Sequence, residues 1–211
     1  MTHPNPAEKY ERVITYIDGF NLYYGLKEGG LNRFYWLDLR MLSLQLLRPQ
    51  QKLVEVKYFT ARVSDPADKR KRQSNYLEAL QAHCGIQPFE GQFLAKPVEC
   101  FGCHRVWPDH EEKMTDVNIA TQLLMDAWKD RFDLAIIVSG DSDLVPPIAS
   151  IKEEFPHKNV LVAFPPDRVS RQLQQTTASF HINEKAFRNC QLPDVVVKPD
   201  GTELHRPATW K

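Results

Sequence analysis

Leu134-Ala135-Ile136-Ile137-Val138 is an unbroken apolar run that stops at Ser139-Gly140-Asp141-Ser142-Asp143. Five apolar residues ahead of a glycine turn predict a strand buried on both faces, the kind found in parallel sheets. Val13-Ile14-Thr15-Tyr16-Ile17 repeats the pattern and ends at Asp18-Gly19-Phe20-Asn21. In open parallel sheets, ligand chemistry lies in the crevice beyond the carboxyl ends of the strands. Two adjacent parallel strands that deliver Asp to one rim predict a carboxylate cluster, and such clusters hold hard cations. Each motif also has a purely local role, because Asp and Ser cap helices and Asp-Gly makes turns.

Working outward, strand patterns alternate with helical ones. Strands are expected at 12–17, 53–63, 134–138 and 160–164, with a strand or hairpin at 86–95 and a short edge strand at 180–182. Helices are expected at 23–28, 37–47, 66–84, 115–130, 144–154 and 168–176. The helix over 115–130 has the broadest apolar face, from Val117, Ile119, Ala120, Leu123, Leu124, Ala127 and Trp128. This alternation predicts an α/β fold with a mainly parallel central sheet. Residues 1–11 read as a loose leader, 12–183 as one domain, 96–114 as an irregular Cys-bearing insert within it, and 184–211 as a loosely held tail. A chain of 211 residues is long enough for one sizeable core.

Charge narrows the partners. Lys plus Arg and Asp plus Glu are 27 each, so the formal charge is zero. Binding of a polyanion would then rest on a local basic patch or on metal, not on bulk charge. No run approaches the roughly 18 apolar residues of a membrane span, and the first residues lack a signal-peptide core. A cytoplasmic, reducing setting is the expectation, in which the four Cys stay reduced.

Asp116 sits in the first turn of the helix over 115–130, where the helix dipole favours a carboxylate. That helix feeds the Leu134 strand, so its first turn belongs near the same rim. Asp18, Asp116, Asp141 and Asp143 could then converge. Such a group would repel itself unless a divalent cation were present, and oxygen-only ligands suit magnesium or manganese.

Asp18-Gly19-Phe20-Asn21-Leu22, Lys113 with Asp116-Val117-Asn118, and Ser139-Gly140-Asp141-Ser142-Asp143 resemble the three signature blocks of the NYN family. This is a bacterial branch of the PIN-like ribonuclease superfamily. The resemblance covers about residues 12–183. It implies a PIN-like three-layer α/β/α sandwich and a Mg/Mn-dependent nuclease site. It also implies roles: Asp18, Asp116, Asp141 and Asp143 as metal carboxylates, and Asn21 as the residue that orients a ligand or water. The reaction would be hydrolysis of RNA phosphodiesters, with single-stranded RNA as the partner. The Cys-bearing insert and the segment 184–211 depart from the family pattern.

Lys69, Arg70, Lys71 and Arg72 form a cationic run on the front half of a helix, either a solvated face or a phosphate patch. Arg168, Arg171, Lys185 and Arg188 would add to such a patch. Tyr23 or Tyr24, in an aromatic cluster after the first strand, is placed to stack a base.

Cys100-Phe101-Gly102-Cys103-His104 matches the c-type haem attachment string. Its place inside an α/β pattern, without an export signal, argues against haem. Two readings stay open: a structural zinc site with Cys100 and Cys103 completed by Cys84, His104 or His110, or two reduced thiols in a hairpin.

Other functions also stay open. One is a non-catalytic RNA- or nucleotide-binding or regulatory module. Another is an NADH-dependent hydroxylase of pyridine compounds, a role known for some proteins similar to this family. No Gly-x-Gly-x-x-Gly turn follows the first strand to support it. An Asp-nucleophile phosphatase would place its Asp pair after the first core strand, not a late one. A homodimer and a regulatory protein partner are compatible with the sequence.

Overall fold

A computed structural model of the chain describes residues 10–63, 66–99 and 101–210, with the side chains of all these except 92–99 and 107–113. Its centre is a sheet of seven strands in the order β4-β3-β2-β1-β5-β6-β7. The strands are β1 (Glu11–Asp18), β2 (Gln51–Ala61), β3 (Pro88–Glu99), β4 (Val106–Lys113), β5 (Leu134–Val138), β6 (Asn159–Phe164) and β7 (Ala178–His181). Only β4 runs antiparallel to its neighbour; the other six form a parallel sheet. The two strands that carry the acidic turns are neighbours, with Val13 opposite Leu134 and Ile17 opposite Val138. From β1 the chain builds outward to β2 and β3, then returns to add β5, β6 and β7 on the other side. The boundary between β1 and β5 is therefore the switch point where such sheets open a crevice.

Alternate residues of β1 explain the layers. Val13 and Ile17 face a core shared with Leu22 and Leu26 of α1 (Gly19–Glu28), Leu39 and Leu42 of α2 (Leu39–Gln45), Leu77 of α3 (Ala67–Ala79) and Phe187 of α7 (Glu184–Asn189). Ile14 and Tyr16 face a second core with Ile119 and Leu123 of α4 (Thr115–Trp128), Ile148 of α5 (Val145–Glu154) and Leu173 of α6 (Arg171–Thr176). The fold is the three-layer α/β/α sandwich expected from the sequence. Among the described residues, no helix is long and apolar enough to cross a membrane.

Three expectations need correction. The insert over 96–114 is not irregular: β3 and β4 form an antiparallel hairpin, from Gln92 opposite Lys113 to Glu99 opposite Val106. Its Pro and charged residues hid the strand pattern, as they do at a sheet edge. The apolar face of α4 is split. Ile119, Leu123 and Ala127 are buried at a spacing of four, while Val117, Leu124 and Trp128 are exposed. The spacing of four keeps one stripe on the sheet, and the remaining apolar residues lie too far round the helix to reach it.

The segment 184–211 is not a loose tail through residue 210. It forms α7, a small antiparallel pair β8 (Val195–Val197) and β9 (Glu203–His205), and a final turn Ala208–Trp210. Leu192, Val196 and Leu204 join the first core. Trp36 Nε1 donates to the Pro193 carbonyl at 2.7 Å. Pro193, Pro199 and Pro207 sit between short elements that buried apolar side chains anchor.

The amino end of the sheet is tied by charge. Arg12 of β1 donates to both oxygens of Asp133, the residue before β5, through Nε at 3.1 Å and Nη2 at 2.8 Å. These bonds hold the Asp133 carboxyl at about 2. An unfolded Asp titrates near 3.9, so the native pair favours the charged form. Its contribution is complete above about pH 5 and is lost as the pH falls through the native value. The melting-temperature difference between wild type and Asp133→Asn should thus shrink as the pH is lowered from 6 toward 3. A difference that stays constant over that range would contradict the assignment.

Candidate functional site

The carboxyl rim at the β1/β5 boundary is a closed web of hydrogen bonds. Asp18 ends β1 and is 4 % exposed. Its Oδ1 accepts from the Asn21 N–H at 3.0 Å, which caps α1. Its Oδ2 accepts from the Ser139 hydroxyl at 2.9 Å, across to the end of β5. The same hydroxyl oxygen accepts from the Asp141 N–H at 3.0 Å. Asn21 Oδ1 accepts from the Gly140 N–H at 2.8 Å. Asp141 Oδ1 then accepts from the Asp143 N–H at 2.9 Å and caps the turn Ser142–Leu144. The capping roles expected from the sequence are carried by Asp18 and Asp141, and the same two residues take part in the web. Two signature blocks, more than a hundred residues apart in sequence, are joined by direct bonds.

At this rim, Gly19 and Gly140 are required by close approach. A Cβ on Gly19 would lie 2.7 Å from the Phe59 carbonyl oxygen and from the Tyr58 hydroxyl. A Cβ on Gly140 would lie 2.7 Å from the Arg168 carbonyl oxygen. Burial, with the Asp18 charge beside it, pushes the Tyr58 hydroxyl up to about 12.

The other acidic residues stand around this web. Asp141 is half-buried and Asp143 exposed. Asp116 lies in the first turn of α4 and is partly buried. The carboxyl end of α4 leads into the start of β5, so its amino end points back toward the carboxyl rim, and the helix packs on the turn Ser142–Leu144. All four Asp therefore belong to one side of the sheet. Among the described residues, however, no three Asp, Glu, His or Cys side chains gather into a metal cage.

Next to Gly19 opens a cavity of about 290 Å³. Its aromatic lining includes Tyr23, Tyr24, Tyr35, Tyr58, Tyr76 and Trp210. Tyr23 stacks on Tyr35 with centroids 4.7 Å apart and meets Tyr24 edge-on at 5.3 Å. The cationic run divides here: Lys69 and Arg72 line the cavity, whereas Arg70 and Lys71 do not. Spacing of three on a helix sets this split. Two further cations named as phosphate ligands are engaged elsewhere, Arg168 with Glu28 and Arg188 with Glu184.

The insert offers less. Cys103 is exposed. Cys100 and the His110 side chain lie outside the described residues. Cys84, one candidate zinc ligand, donates instead to Asp38 Oδ1 at 3.3 Å. Burial and that carboxylate push its thiol up to about 12, so it is held protonated and is a poor metal ligand.

Ser139 carries only a faint signal in the sequence, a small hydroxyl residue between a buried strand and a glycine. Trp210 gave no signal, because its place depends on the folding of residues 184–210.

A model of the NYN domain matches residues 12–184. The chain belongs to the NYN domain family. The fold of this NYN protein is accordingly nuclease-like. It is 29 % identical to 6-hydroxy-3-succinoylpyridine 3-monooxygenase HspA of Pseudomonas putida (strain DSM 28022 / S16), over 94 % of this chain and 75 % of that protein. It also shares its fold with a protein of unknown function, VPA0982, from Vibrio parahaemolyticus RIMD 2210633. That match has a TM-score of 0.55 and 19 % identity, and covers 89 % of this chain and 100 % of the other.

The web makes a direct test of its own cohesion possible. Ser139→Ala removes the bond to a buried carboxylate, and a hydrogen bond to a charged group contributes about 1.5–3 kcal/mol. Urea unfolding should show a loss of that size. Unchanged stability would mean that the hydroxyl does not hold the rim.

Proposed function

We propose that this NYN protein is a Mg/Mn-dependent ribonuclease that hydrolyses single-stranded RNA at the β1/β5 rim. The observation that carries the reading is the bond from Ser139 to Asp18, which locks the two acidic strand ends together at the switch point. The donor set fits the ion by chemistry, since it is oxygen-only. Magnesium is usually held by one or two carboxylates, with substrate phosphate and water filling the rest. Asp141, Asp143 and Asp116 would hold the ion, and buried Asp18 would set their frame. The chemistry a divalent ion supplies when bound is acidification of water and neutralisation of charge on the attacked phosphate.

The chain's own residues do the rest. With Oδ1 committed to Gly140, Asn21 has its Nδ2 donors for a phosphate or water. Lys69 and Arg72 attract the backbone, and the aromatic side chains of the cavity wall, Tyr23 among them, pack against a base.

A second reading is an oxygenase of a small aromatic compound. Two observations favour it: the name of the Pseudomonas relative, and a cavity sized for one ring beside the rim.

One assay panel separates the two. Purified protein is incubated with single-stranded RNA with and without manganese, and with a hydroxypyridine plus NADH. The expected result is manganese-dependent cleavage of RNA that Asp141→Asn abolishes, with no NADH consumed. The Lys69→Ala/Arg72→Ala variant should bind RNA more weakly and with a flatter salt dependence. Wild type that cleaves no RNA with manganese, or Asp141→Asn that cleaves as well as wild type, would overturn the nuclease reading. NADH oxidation dependent on the pyridine would establish the other.

A further inference from the structure

The segment after the last family-matched residue forms part of the cavity wall. Trp210 lies edge-on to Tyr35 at 5.5 Å and to Tyr76 at 6.0 Å, and so closes the aromatic wall begun by Tyr23. Its position is fixed by several bonds. The Trp210 carbonyl accepts from Arg206 Nε at 3.0 Å, and its N–H donates to the Pro207 carbonyl at 2.9 Å. Arg206 also donates to the Arg33 carbonyl. Asn75 of α3 donates to the His205 carbonyl at 2.7 Å, and Lys198 pairs with Glu78 of α3 at 3.1 Å. The segment is thus strapped to α3, the helix whose first turns bring Lys69 and Arg72 to the same cavity.

Three features define what the cavity accepts. Its volume, about 290 Å³, is at the lower end for small-molecule pockets. That is room for one ring with a small substituent. Its walls are rich in aromatic side chains, which favours a planar ring. Among its described lining residues are three cations, Lys27, Lys69 and Arg72, and no carboxylate.

We propose that residues 203–210 complete a ligand subsite in which Trp210 is a specificity-determining wall, and that the subsite takes one planar aromatic ring bearing an anionic group held by Lys69 and Arg72. The inference rests on the reading of the neighbouring rim as a functional site. The ring and its anion can come from a terminal nucleotide or from a free one-ring aromatic acid.

The test is calorimetric binding to the full chain, with chelator present and no turnover. The probes are uridine monophosphate, benzoate and uncharged uridine. Wild type should bind one or both anions and uridine at least ten-fold more weakly than its monophosphate. Trp210→Ala should weaken anion binding at least ten-fold, while Trp210→Phe restores most of it. Circular dichroism checks that Trp210→Ala is folded. Should it not fold, Val63→Trp fills the cavity from another wall, away from the strapped segment, and should block binding. Binding of the nucleotide alone assigns the nucleic-acid source, and binding of benzoate alone the small acid. Failure of both anions to bind wild type, unchanged binding by folded Trp210→Ala, or unchanged binding by Val63→Trp would each overturn the proposal. RNA cleavage without probe binding defeats this inference and leaves the nuclease reading intact. Probe binding without cleavage does the reverse.

Discussion

The architecture of the rim depends on one hydroxyl. Ser139 donates to Asp18 and accepts from the backbone of Asp141, so a single buried oxygen fixes the ends of two parallel strands against each other. Parallel strands have no turn between them to set how their ends align. Here the lateral bonds do so, and the Asn21–Gly140 bond doubles the link. The chain needs glycine on both sides, at Gly19 and Gly140, because neighbouring carbonyl oxygens come too close for any side chain. Asp18 and Asp141 at this place each give one carboxylate oxygen to a backbone N–H, of Asn21 and Asp143 respectively.

Behind the rim lies a second polar construction in the α4 layer. Lys57 of β2 and Asp126 of α4 pair at 2.6 Å, each side chain 3 % exposed. Tyr16 of β1 donates to the same Asp126 oxygen at 2.7 Å, and Lys57 also donates to Gln122 at 2.9 Å. Burial and the Asp126 charge together hold the Tyr16 hydroxyl protonated. Buried pairs of this kind add little net stability over apolar packing, yet breaking one costs about 3–5 kcal/mol. Their effect here is positional. They fix α4 on β1 and β2, and with it the placement of Asp116 in the first turn. Fold and site are therefore coupled through α4.

Much of this was legible in the sequence, for stated reasons. The runs at Val13 and Leu134 are short, apolar and closed by Asp and Gly, so strand, direction and rim could be read together. The layers followed from alternation along the same strands. What escaped was non-local. Lys57 and Asp126 are both charged and distant in sequence, and nothing local marks them as partners. The α4 face read too wide because periodicity does not say how much of a stripe the sheet can cover. The hairpin over 92–113 was masked by its prolines and charges. Trp210 was unreadable because its role arises only after residues 184–210 fold back on α3. Lys69 and Arg72 were named with Arg70 and Lys71; only the helix phase separates the pair that lines the cavity from the pair that does not.

The nuclease proposal requires a divalent-ion site at the β1/β5 rim, held by Asp141, Asp143 and Asp116 around buried Asp18. It is tested most directly by titrating manganese into the RNA-free protein and following the free ion by electron paramagnetic resonance. The account predicts saturable binding to wild type that is lost in Asp141→Asn/Asp143→Asn and retained in Lys69→Ala/Arg72→Ala. Manganese binding that is absent from wild type, or undiminished in the double Asp variant, would contradict it.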